Sequence, residues 1–349
     1  MNPYETLDEI FFWSPAVAKK SMFDINRLWD PKFKIGPKMK VATYGSCFAQ
    51  HIGRALAGRN FNWMIAEPAP QGLSKDNSKK FNYGIFSART GNIYTTTLLA
   101  QWVSWATGDV SPPGEVWEKG GRYYDPFRPN IEPNGFESRE EMKVSRSLAV
   151  EAFKKSILEC DVLVFTMGLT ESWFNAEGGY EYPMCPGTVA GEFDEKKHQF
   201  VNQDYTQIRK ALVSCLRGIK KLNPKLKVLL TVSPVPLTAT MSGKHVLVAT
   251  MESKSILRAV AGSVASELRF VDYFPSYEII NSAPYKGAFF EPNMRSVNPV
   301  GVNHVMDQFF SCLQDKFPLK LPEKRIVDAG SDDAVCEEEL LNAFQGGGK

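Results

Sequence analysis

Four short apolar runs constrain what this chain can fold into: Lys40–Tyr44, Asp161–Met167, Val228–Val232 and Arg269–Phe274. Each stops at a glycine or close to a proline: Gly45, Gly168, Ser233-Pro234 and Pro275. Between them lie stretches with helical spacing, at about Ser138 to Glu159, Asp204 to Leu222 and Ser253 to Leu268. A strand followed by a helix, repeated, argues for a parallel sheet, because parallel neighbours need a long right-handed crossover. The expected fold class is α/β, with helices on both faces of that sheet. A shorter strand is expected at Phe61 to Ile65, and a further helix at Thr95 to Trp105.

The first run carries the candidate chemistry. Its strand stops at Gly45 and passes into a helix marked by Phe48, Ile52 and Leu56 at four-residue spacing. Two nucleophile types, Ser46 and Cys47, therefore stand where a strand hands over to a helix. Open α/β sheets hold their sites at the carboxyl ends of their strands, and helix-starting amides there stabilise negative charge.

Composition narrows the partners. The 349 residues are 43% hydrophobic and 23% charged, enough for one large decorated domain or two. A net charge of +2, from 41 basic and 39 acidic residues, gives no electrostatic argument for nucleic acid or an anionic membrane. The amino terminus lacks the order of a signal peptide, and no apolar run approaches the roughly 18 residues of a membrane span, so the expectation is a cytoplasmic protein. Six scattered cysteines with no Cys-x-x-Cys pair signal neither a zinc site nor a disulfide framework, and no cofactor is expected. The expected partner is a small-molecule or glycan substrate, with an acyl donor. Oligomeric state is not legible.

Three regions are expected. Residues 1–38, rich in aromatics and proline, read as an arm packed on the domain surface. Residues 39–318 form the α/β domain. Residues 319–349 read as a charged, loose and functionally minor tail ending in Gly346-Gly347-Gly348-Lys349. Within the domain, 108–138 and 172–200 are dense in glycine and aromatics and read as irregular insertions, since disordered linkers are aromatic-poor. Their aromatics suit a carbohydrate face or an ordinary hydrophobic mini-core.

Gly45-Ser46-Cys47-Phe48-Ala49 is the motif for which the GSCFA domain family is named, and the chain resembles that family over roughly 40–315. The Gly-Leu-Thr-Glu at 168–171, the Ser-Pro-Val-Pro at 233–236 and the Phe-Pro-Ser-Tyr-Glu at 274–278 carry the rest of the likeness. The family is placed within the SGNH (GDSL-like) hydrolases. The resemblance implies a flavodoxin-like three-layer α/β/α sandwich and esterase or acyl-transfer chemistry on glycans. In the superfamily's Gly-Asp-Ser-Leu block the serine lies two residues past the glycine, which puts Cys47 in the nucleophile register. A one-residue slip makes it Ser46. A thiol at a helix amino terminus has a lowered pKa and is the stronger nucleophile.

The resembled hydrolases carry their base in an Asp-x-x-His block. Here the matching stretch is Arg295-Ser296-Val297-Asn298, with arginine and asparagine in the catalytic places. Either the base has moved or the activity is lost. Replacement bases are His245, in the loop after the third strand; His304, six residues after Asn298; and His51, four residues after Cys47 on one helix face. Oxyanion donors are expected from the amide of Cys47 or a neighbour, Gly91 with Asn92, and Gly168 with Thr170. Glu171 is a candidate to orient a histidine, and Arg295 and Arg89 to bind a substrate carboxylate or phosphate. Two hypotheses follow: an esterase or acyltransferase, and a noncatalytic glycan-binding or assembly protein on the same fold.

Overall fold

The computed structural model describes residues 2–318 and 337–344. The chain forms β1 (Val41–Gly45), α1 (Phe48–Gly58), α2 (Lys75–Lys80), α3 (Thr96–Thr107), β2 (Trp117–Lys119), β3 (Arg122–Tyr124) and α4 (Arg139–Glu159). It continues through β4 (Val162–Met167), β5 (Glu171–Asn175), β6 (Tyr180–Tyr182), β7 (His198–Asn202) and α5 (Tyr205–Leu222). Then come β8 (Lys227–Val232), α6 (Val246–Glu267), β9 (Val271–Tyr273), α7 (Ser276–Asn281) and α8 (Pro299–Lys316).

The four expected runs are β1, β4, β8 and β9, and they pair in that order, all parallel. The expected strand at Phe61 to Ile65 shrinks to one parallel bridge between Trp63 and Val41, with Met64 N donating to Val41 O at 2.8 Å. Counted as a strand, it completes the flavodoxin-like order 2-1-3-4-5.

Side-chain alternation along the strands divides the core in two. Ala42, Tyr44, Leu163, Phe165, Val228 and Leu230 pack against α3, α4, α5 and α6. Val41, Val162, Val164 and Leu229 pack on the opposite face against α1, α7 and α8. This is the three-layer α/β/α sandwich. The arm joins the second layer: Ile25, Trp29, Phe33 and Ile35 are buried there, and Trp29 stacks on Phe309 and donates to Asp272 at 3.2 Å.

Local chemistry starts the helices where the sequence placed them. Thr95 caps α3, Ser138 caps α4, and Asp204 with Gln207 forms a capping box on α5. The exception is α6, which begins at Val246 and not near Ser253. Its first turns expose Leu247, Val248 and Met251, so they lack the buried stripe from which a helix is read.

Both insertions are irregular over most of their length, yet each carries short strands. Residues 108–138 contain the β2–β3 hairpin, and 172–202 contain an antiparallel sheet ordered β6-β5-β7. Strands of three to five residues are too short to register as a period. Glu115 ties the two insertions together by accepting from the hydroxyls of Tyr180 and Tyr182, at 2.5 and 2.7 Å. Trp117, Phe127 and Tyr182 pack ring against ring beside them, which is a mini-core.

Buried Asp125 anchors the first insertion between Arg128 and Arg146, 2.8 Å from each. Burial raises its pKa, but the charges of Arg146 and Arg128 outweigh burial and hold it below the ordinary carboxylate value. Asp125→Ala would leave two guanidinium groups buried without their counter-charge. It should cost about 3–5 kcal/mol, read from urea unfolding, whereas a loss under about 1 kcal/mol would mean that water reaches the arginines.

Candidate active site

The site is built where three chain segments meet at the carboxyl end of the sheet. Gly45 ends β1 at φ +129°, and a Cβ there would lie 2.3 Å from Thr166 O. Only glycine permits that approach. Beyond it, Ser46 N donates to Thr166 O at 3.0 Å and Cys47 becomes the N-cap residue of α1. Ile93 N donates to Gly45 O at 2.9 Å, and Gly168 N donates to Tyr94 O at 2.8 Å. These bonds draw the loop at 91–94 between the ends of β1 and β4. Gly168 packs against Ser46 so closely that a Cβ on the glycine would lie 2.9 Å from the serine Cβ.

Ser46 is 2% exposed, and its hydroxyl makes no hydrogen bond among the described residues. Cys47 is also buried, at the amino end of α1. The pair therefore sits as the sequence placed it. Gly91 and Asn92 join it.

That loop holds a carboxyl group. Gly91 has φ +66°, and a Cβ on it would lie 3.0 Å from Glu337 Oε1. The Asn92 side chain and backbone N–H both donate to the Glu337 carboxyl. Burial pushes this carboxyl up to about 7, and the Asn92 hydrogen bonds only partly offset it. Nothing in the sequence marked Glu337. It lies in the tail, whose remaining residues, 319–336 and 345–349, fall outside the described residues. The described part is a docked 3-10 helix, Glu337–Phe344.

A cationic corner adjoins this seat. Lys254, on α6, is 1% exposed and donates to Gly168 O at 2.7 Å. Burial raises the pKa of Glu338, while the nearby charges of Arg295 and Lys254 and a bond from the Thr238 N–H lower it. Arg295 lies 3.5 Å from Glu338 and 3.2 Å from Glu339. Lys254 escaped the sequence reading because a lysine inside an apolar helix pattern reads as an exposed position.

The histidines are placed less favourably. His245 is the exposed N-cap residue of α6, its Nδ1 accepting from Leu247 N at 3.2 Å. It is the last residue of the expected loop, directly before α6. His304 sits in a cage of Phe23, Tyr285 and Phe289, and burial lowers its pKa. His51 packs against Phe48 one turn along α1 from Cys47; burial, helped by Arg54, lowers its pKa to about 4. Asn298, in the place of the expected histidine, caps α8 by accepting from Gly301 N at 2.9 Å. Its amide donates to Ala288 O at 2.9 Å.

The other candidates hold the walls. Thr170 donates to Asn202 at 2.7 Å, and its N–H is taken by Ser253 Oγ. Glu171 accepts from Thr240, and burial raises its pKa. Arg89 is a buried clamp between Glu67 and Glu132. Beside the seat opens a cleft of about 440 Å³ lined by Leu169, Trp173, Phe193, Phe200, Leu237 and Met241, among others.

The arrangement is an α/β protein in which the 91–92 loop, at the carboxyl end of a parallel sheet, holds the Glu337 carboxyl and joins the strand end that carries Ser46 and Cys47. The chain belongs to the GSCFA family, whose model matches residues 40–309. No curated protein matches it significantly. No helix among the described residues is long and apolar enough to cross a membrane.

One titration is readable behind the cleft wall. Glu181 is buried, accepts from the Thr95 hydroxyl, and is pushed up to about 7 by burial. An acid whose folded pKa is raised favours the folded state when protonated. Stability should therefore be full near pH 4 and fall by up to about 3 kcal/mol as pH rises through 7. Urea titrations at pH 5 and 8 check this against Glu181→Gln, which should show a visibly smaller difference between the two midpoints. An equal difference in both proteins would place the titration elsewhere.

Proposed function

We propose that the chain is an acyl-transfer enzyme of SGNH type, an esterase or O-acyltransferase, in which Cys47 attacks a carbonyl held by Gly91 and Asn92. The observation that carries this reading is the carboxyl of Glu337 in that seat. A carboxyl group has the planarity and polarity of an ester carbonyl, and the donors that hold it are those an oxyanion needs. The Cys47 thiolate would add to the carbonyl carbon, placing the negative oxygen on the Asn92 donors. Collapse would expel the alcohol, which takes up a proton, and leave a thioester for water or an acceptor hydroxyl to attack.

A thiol at a helix amino terminus depends less on a base than a serine does. That suits a site whose His51 is held at a pKa near 4, neutral at pH 7 but a weak proton acceptor. The substrate class is an acylated glycan or similar small ester, since Trp173, Phe193 and Phe200 give the cleft a wall suited to a sugar face or an acyl chain. Cys47, Cys160, Cys185, Cys215 and Cys312 form no disulfide among the described residues.

The same seat favours one second reading. A group that holds a carboxylate binds anions without reacting, and Asn298 in the histidine place fits a noncatalytic binding protein. Mass spectrometry after incubation with p-nitrophenyl acetate separates the two. The acyl-transfer reading expects an acetyl adduct on Cys47, kept in Ser46→Ala and lost in Cys47→Ala. Loss in Ser46→Ala alone would reassign the nucleophile, and no adduct in any protein would leave the binding reading.

A further inference from the structure

The docked helix Glu337–Phe344 reaches the Gly91–Asn92 seat, the cationic corner and the rim of the cleft. Glu337, 4% exposed, fills the Gly91–Asn92 seat. Glu338 takes the Thr238 N–H and faces Arg295 and Lys254. Leu341 and Phe344 line the cleft with Trp173 and Phe193, Phe344 being 60% exposed at its edge. A carboxyl in the seat, a second anion on the cationic corner and apolar groups in the cleft is the pattern of a ligand.

We propose that Glu337–Phe344 is a pseudosubstrate, which closes the site in cis and copies the class of compound the site accepts: an acyl compound carrying an anionic group, with an apolar extension. This rests on the acyl-transfer reading for the word substrate, while the closure stands on the contacts alone. The anionic group belongs on Arg295 and Lys254, the carbonyl on Asn92, and the apolar part against Trp173. Substrate and segment then compete for the same donors, so the enzyme rests closed until the segment leaves. Lys254 supports this assignment because a buried ammonium next to the seat favours a negatively charged occupant.

The test uses the full chain and two double variants, Glu337→Ala with Glu338→Ala, and Leu341→Ser with Phe344→Ser. One removes the anionic half of the segment and the other its apolar half, so a folding defect in one leaves the other to decide. Iodoacetamide labelling of Cys47, followed by peptide mass spectrometry, should run about tenfold or more faster in both variants than in wild type, as local opening becomes frequent. Amide exchange at Asn92, whose N–H now donates to Glu337, should rise with it. An added peptide of sequence EEELLNAF should restore slow labelling in the glutamate variant, and QQELLNAF should not. Unchanged labelling and exchange in both variants, or equal protection by the two peptides, would overturn the proposal. Neither readout involves an ester. Opening without any acetyl adduct on the variants would keep the closure and remove acyl transfer, whereas equal adduct in wild type and variants, with unchanged labelling, would do the reverse.

Discussion

The contact on which the site depends is the approach of Gly45 to Thr166. The two residues are paired in the parallel register of β1 and β4, and the glycine backbone lies where any Cβ would strike Thr166. A left-handed φ at this point turns the chain off the strand, and Ser46 N takes Thr166 O as its last sheet bond. The next residue already begins α1. One backbone constraint therefore fixes the strand-to-helix junction, the amide dipoles behind Cys47, and the position of Ser46 against Gly168. A substitution would cost about 1–3 kcal/mol in backbone strain alone before the clash with Thr166 is counted.

The second constraint is electrostatic. Three acidic side chains in and around the seat, Glu337, Glu338 and Glu171, have pKa values that burial raises. Leaving water is the largest effect on each. The donors that offset it are specific: Asn92 for Glu337, Arg295 with Lys254 for Glu338, Thr240 for Glu171. Burial outweighs these donors, so the protonated form of each carboxyl is favoured relative to water, and the donors limit that shift. The fold supplies those donors from four separate stretches, the 91–92 loop, the 238–240 loop, α6 and the loop before α8, so the seat exists only when the sandwich is closed.

The fold was legible because its strands are uniformly apolar and its helices capped by ordinary signals, as at Thr95, Ser138 and Asp204. The insertions were not, since β2, β3 and β6 are three residues each and owe their order to Glu115 and Asp125, partners distant in sequence. At the site, Ser46, Cys47 and Gly168 were legible from their places at strand ends, and Gly91 with Asn92 from the loop before α3. Glu337, Lys254 and Thr238 were not, because a glutamate in an acidic tail, a lysine in a helix and a threonine in a loop are ordinary residues until the sheet brings them together. The start of α6 was misread for a related reason: the exposed apolar turn after His245 hides it.

The substitution of asparagine where the resembled hydrolases carry histidine bears on the choice between thiol and hydroxyl. A general base contributes roughly 10²–10⁴-fold to catalysis, and a serine without one is almost wholly protonated at pH 7. A cysteine is already a few per cent thiolate and gains further from a helix amino terminus, so it keeps more of its reactivity when the base is gone. Asn298 is in turn well suited to its own place, where it caps α8 and ties down the chain at Ala288. A cysteine in the nucleophile register and an asparagine in the base position are thus mutually consistent: the first lessens the need for the histidine, and the second turns its position into a fixed end for the helix that follows Arg295.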